Sequence, residues 1–225
     1  MEDGKKWIDL IHKLESLEGN KILSKIKHLA ISQFTLNRNY QELDSLIKGY
    51  EKDLSIWSID NRAKLDLIQR EFLRLLHNYL SSISSLVGHT YAFRDDISNE
   101  NIEKFILDEI NRFKEDSSLV FLKDLRTYTQ HYKLPFSTAS LSFKSVSQGR
   151  GISEQKLELN LDELSKWSKW TKKSKEFLET QDKKIDIKKV IDFYQKNITD
   201  LYKSIYDKII KVYEKELEEY INLER

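Results

Sequence analysis

One proline and six glycines in 225 residues leave this chain almost without helix breakers. Wherever apolar residues also recur three and four positions apart, amphipathic helices are the expected outcome. Trp7, Ile11 and Leu14 mark a first short helix and Ile22, Ile26 and Leu29 a second. A third follows through Tyr40, Leu43, Ile47, Tyr50, Leu54 and Trp57. A fourth, longer helix carries Leu65, Ile68, Phe72, Leu75, Tyr79, Ile83 and Leu86, with Ser58 or Asp60 available as its cap. After the polar linker "FRDDISNEN", Ile102, Phe105, Ile106, Ile110 and Phe113 define a fifth helix. Ser117 or Ser118 can cap a sixth, and Pro135 ends it by disfavouring helical geometry at Leu134.

The period then changes from helical to alternating. Ala139, Leu141 and Phe143 point one way in "FSTASLSFKSV", and Leu157, Leu159 and Leu161 do so in "KLELNL", with the Gly-containing connection "SQGRGISEQ" between them. This predicts a two-stranded hairpin over about 136–161. An isolated hairpin is marginally stable, so its apolar face should lie on the helices as a lid or edge cover. Two helices close the chain, "LDELSKWSKWTKKSKEFLE" and a long one from Ile187 to Leu217. The expected fold is all-α: an elongated bundle of long antiparallel helices with one small hairpin. Residues 1–135 form its core, 136–161 an insertion, and 162–225 helices that pack on the same core as one domain.

Charge and composition narrow the function. Lys and Arg number 38 against 37 Asp and Glu, so no global field draws polyanions, and any nucleic-acid affinity must be local. Without cysteine there is no disulfide framework, no thiolate nucleophile and no Cys-based metal site. The five histidines, at 12, 28, 77, 89 and 131, show no His-x-x-x-His or Glu-x-x-His pairing. Neither a Gly-rich phosphate loop nor a serine nucleophile elbow is present. No metal and no cofactor are expected. The N-terminus lacks an uninterrupted apolar core and a small-residue cleavage site, which places the protein in the cytoplasm.

Three places stand out from bundle filler. Between Arg74 and Arg94 the fourth helix carries no charge, although a third of the chain is charged. At 100° per residue, Arg70, Arg74, His77, Ser81, Ser84 and Gly88 form a polar, small-residue stripe opposite Phe72, Tyr79 and Ile83. Such a stripe admits a close neighbouring helix, with Arg70, Arg74 and His77 at one end of the contact. A membrane span is not expected, because His77, Asn78, the serines and His89 would each need partners in lipid.

The second place is "DLRTYTQHYKLP", residues 124–135. Phe121, Leu122, Leu125, Tyr128 and Tyr132 define its buried side. Arg126 and His131 then lie on two flanks, because five residues turn a helix by a net angle of about 140°. A helix distortion, a neighbouring helix or a twofold-related copy is needed for the two to act together. His131 falls in the last turn, where unpaired carbonyls favour an imidazolium. The third place, "KWSKWTKKSK", interleaves Lys166, Lys169 and Lys173 with Trp167 and Trp170. Such a pattern can neutralise phosphate and stack bases, or simply form one amphipathic helix.

Arg126, four residues and His131 resemble the Arg-x4–6-His signature of the HEPN superfamily, all-helical proteins that often act as ribonucleases in toxin and defence systems. The resemblance implies a homodimer with the signature facing its twin, and metal-independent RNA cleavage. In it the 2′-hydroxyl attacks the adjacent phosphate, His131 moves a proton and Arg126 stabilises charge on phosphorus. Asp124, Tyr128, Arg70, Arg74 and His77 are possible second contributors. Thr127 stands where family members frequently carry Asn, Asp or His. The alternative is a catalytically inactive helical scaffold or regulatory subunit that binds a protein partner or antitoxin.

Overall fold

The computed structural model describes residues 2–135, 137–146 and 150–224 and is mostly helical, with one small antiparallel sheet. Helix α1 spans Glu2–Ser16 and α2 spans Glu18–Lys52. The second and third expected helices are thus one. No proline or glycine falls between Leu29 and Leu43, and Leu36 continues the buried row Ile22, Leu29, Leu43 and Ile47 at seven- and four-residue steps. Trp7 and Ile11 of α1, expected as a buried stripe, are exposed.

Two short 3-10 turns, Leu54–Trp57 and Ile59–Asn61, reverse the chain into α3, Arg62–Ile97. Lys25 Nζ donates to the Asp96 carbonyl, Ser32 Oγ meets His89 Nδ1 and Asn39 Nδ2 reaches the Asn78 carbonyl. As one helix ascends the other descends, so α2 and α3 are antiparallel. Helix α3 continues through most of the expected linker and stops at Ser98, whose φ of 49° is the left-handed conformation that ends helices. Asn99 caps α4, Glu100–Phe113, and Asp116 caps α5, Ser117–His131. The α5 cap is therefore the aspartate before the two expected serines, accepting from the Ser118 and Leu119 amides.

The sheet has three strands. β1, Ser137–Val146, pairs antiparallel with β2, Arg150–Asn160, placing Ser137 opposite Leu159. β3, Lys184–Ile185, adds to the free edge of β2 and corrects the two-stranded expectation. Two residues are too few to show a period. Part of the expected connection, Arg150 to Gln155, is strand, and residues 147–149 lie outside those described. Leu157, Leu159 and Ile185 are buried, whereas Phe143 is 76% exposed, so only the base of the hairpin rests on the helices. Gln155 anchors that base by accepting from Trp57 Nε1 at 2.6 Å.

The helix expected over 161–179 is broken. α6, Leu161–Ser165, and α7, Lys172–Glu179, are separated by a segment that turns Trp167 and Trp170 inward. The last helix also divides, at Tyr213, into α8, Ile187–Val212, and α9, Glu214–Glu224. Helix α9 lies so close to α2 that a Cβ on Gly19 would stand 2.1 Å from the Glu216 carbonyl oxygen. No helix among the described residues is long and apolar enough to cross a membrane.

Candidate functional site

The polar stripe of α3 is open at Gly88, while its Ser84 lines a cavity shared with α4, α5 and α8. Gly88 has no atom within 4 Å of where a Cβ would stand, and Ser85, Gly88 and His89 are exposed. Beside the stripe, Ser85 Oγ donates to the Ser81 carbonyl and the buried Ser82 Oγ to that of Tyr79. The open space at Gly88 corrects the expected close approach there. Arg70 is exposed, and Arg74 grips Glu71 through Nε at 2.8 Å and Nη2 at 2.6 Å, which holds the Glu71 carboxyl below its usual range. His77 is half-buried, with its Nδ1 enclosed and without a hydrogen-bond partner.

On α5 the expected buried side is largely present: Leu119, Phe121, Leu122, Leu125 and Tyr128 are in the core, while Tyr132 is 50% exposed. Asp124 is buried and committed. Its Oδ2 accepts from the Thr171 amide at 3.0 Å, Thr171 Oγ1 at 2.6 Å and Ser174 Oγ at 2.7 Å. These bonds tie α5 to the start of α7, so Asp124 is structural. Tyr128 stacks on Trp170 at 5.5 Å and 11° and meets Trp167 edge-on. Burial pushes its hydroxyl pKa up to about 12, and the oxygen has no partner.

Arg126 and His131 occupy different surroundings. Arg126 is half-buried and lines a cavity between α3, α4, α5 and α8, where its Nε is enclosed without a hydrogen-bond partner. His131 is exposed in the last turn of α5 and does not line that cavity. A single chain therefore leaves them on separate flanks, as helical geometry demands.

The aromatic and basic segment changes most. Trp167 and Trp170 are 7% and 5% exposed and meet edge to face at 4.7 Å, so neither offers a free face to a base. Lys166 pairs with Glu163, and Lys173 with Glu115 at 2.8 Å. Lys169 is exposed and joins no ion pair among the described residues. Trp167 and Trp170 are buried together with Ser174, Phe177 and Leu178, as the amphipathic alternative requires, and the break at 166–171 corrects only the continuity of that helix.

Two groupings escaped the sequence. Lys188 forms an ion pair with Asp44 at 2.8 Å and another with Asp192, which also accepts from Tyr40 Oη at 2.9 Å, bracing α2 against α8. Lys114 and Lys123 join Arg126 around the cavity. The i, i+3 spacing of Lys123 and Arg126 was a visible signal for a shared face, but Lys114 comes from another helix. No three His, Asp or Glu residues among those described are grouped to hold a metal ion. No family model, curated protein or solved structure matches the chain.

Proposed function

We propose that the protein is a HEPN-like, metal-independent endoribonuclease or RNA-directed effector of a toxin or defence system, working as a homodimer in which Arg126 and His131 form a composite site. One observation carries the reading. Of the four α5 candidates, Asp124 and Tyr128 are absorbed by the core, whereas Arg126 keeps an unpartnered guanidinium N–H and His131 stands in solvent. A guanidinium remains charged at any physiological pH and binds phosphate oxygens, while an imidazole exchanges protons near neutrality. In the reaction, the RNA 2′-oxygen bonds to phosphorus as the bond to the 5′-oxygen breaks. Imidazole takes the proton from the former, and the imidazolium so formed returns a proton, directly or through water, to the latter. Arg126 compensates the charge that gathers on the phosphoryl oxygens. A twofold brings one copy's Arg126 towards the other's His131.

The test is cleavage of mixed single-stranded RNA in EDTA by the wild type, His131→Ala and Arg126→Gln, with mass measured by light scattering. Cleavage lost in both variants, with unchanged helicity and dimer mass, supports the reading. A wild-type protein inert on RNA refutes it. A second reading, a non-enzymatic scaffold or regulatory subunit, draws support from the separation of Arg126 and His131 within one chain and from the exposed, uncharged face at Ser85 and Gly88. Under it, the wild type is an inert monomer with a tight protein partner, and substituting Arg126 or His131 lowers the melting temperature rather than any activity.

A further inference from the structure

The cavity beside Arg126 measures about 180 Å³. Leu80 and Val87 of α3, Phe113 of α4 and Ile198 of α8 give it apolar walls. Its charged groups are of one sign: Lys114, Lys123 and Arg126 line it, and no Asp or Glu does. In a chain with nearly equal numbers of acids and bases, this is a local selection of charge. The cations are also incompletely used. Lys114 Nζ donates to Tyr91 Oη at 3.0 Å, but Lys123 and Arg126 join no ion pair among the described residues, and Arg126 Nε is enclosed without a partner. An enclosed, unpaired donor is unfavourable, and an anionic acceptor relieves it.

We propose that this cavity binds a small amphiphilic carboxylate, with an apolar body of one aromatic ring or a short alkyl chain between the helices and its carboxylate on Arg126, near Lys123. Size and polarity select this class. An apolar cavity of about 150 Å³ accepts benzene, whereas drug-sized ligands occupy about 300–1,000 Å³. A nucleotide is too large, and its ribose hydroxyls would face hydrocarbon. The site stands independently of the RNA reading, because binding needs neither His131 nor a second copy. If both hold, the carboxylate competes with RNA phosphate for Arg126.

Calorimetry on the full chain, without RNA, tests the proposal with octanoate and 3-phenylpropionate, each beside its neutral alcohol, and with octylammonium and acetate. At least one carboxylate should bind one per chain, about tenfold tighter than its alcohol and tighter still than octylammonium or acetate. Arg126→Gln should weaken the carboxylate about tenfold and leave the alcohol unchanged, while Ser84→Leu, which adds bulk to the cavity wall, should weaken both. Circular dichroism confirms that each variant is folded. The proposal is overturned if neither carboxylate binds at 10 mM, if acid and alcohol bind alike, if acetate matches them, or if folded Arg126→Gln binds like the wild type.

Discussion

Replacing Asp124 by Ala separates a structural carboxylate from a catalytic one. The substitution removes the acceptor of three hydrogen bonds, from the Thr171 amide, Thr171 Oγ1 and Ser174 Oγ. The three losses are unequal. Thr171, the N-cap of α7, is exposed, so water can replace the carboxylate at its amide and hydroxyl, and the remaining loss is the fixing of that cap, about 1 kcal/mol. Ser174 is 0% exposed, and its hydroxyl keeps only the longer 3.2 Å bond from Thr171 Oγ1, which adds about 1–3 kcal/mol. The expected destabilisation is about 3 kcal/mol, which lowers Tm by about 6–12 °C in a chain of this size. Urea unfolding followed by circular dichroism measures it as a shifted midpoint at constant slope. Asp124→Asn keeps one acceptor oxygen and should lose less. Adding Ser174→Ala to Asp124→Ala should recover part of the loss, because the buried hydroxyl that has lost its acceptor is gone. If Asp124→Ala unfolds within about 0.5 kcal/mol of the wild type, the role assigned to Asp124 in tying α5 to α7 is wrong; RNA cleavage lost in that same variant would restore Asp124 as a participant in the chemistry.

Gly19→Ala places a methyl group against the α9 backbone, and displacing α9 should cost about 1–3 kcal/mol; faster amide exchange confined to α9 and the facing turn of α2 checks it. Trp57→Phe leaves the Gln155 side-chain oxygen without its indole donor and should lower stability by about 1–2 kcal/mol by urea titration. Lys133 foremost, with Lys166, holds the Glu163 carboxyl down to about 2. A depressed carboxylate contributes stability above its ordinary range and loses it as pH falls towards the folded value, so Tm of Glu163→Gln should fall less steeply than that of the wild type between about pH 5 and pH 2. Equal slopes would show that the contact contributes nothing to folding.

How much of this protein its sequence determines can be followed along particular residues. The rows Ile22, Leu29, Leu43 and Phe72, Tyr79, Ile83 are buried as their spacing requires, and the alternation of Leu157 and Leu159 marks a strand. These signals are local, because the helical and strand periods act within a few residues of chain. The opposed placement of Arg126 and His131 on α5 follows from the same geometry. Tertiary structure decided the rest. Asp124, forty-seven residues away, bonds Thr171, the N-cap at which α7 starts, and the helix predicted as continuous is broken before it. The sheet gained a third strand because Leu159 lies beside Ile185, and a cavity formed where Lys123 and Arg126 of α5 meet Lys114 at the end of α4. Periodicity tells each element which face to bury. Which distant groups then compete for a backbone amide, or share a pocket, is settled only when those faces meet.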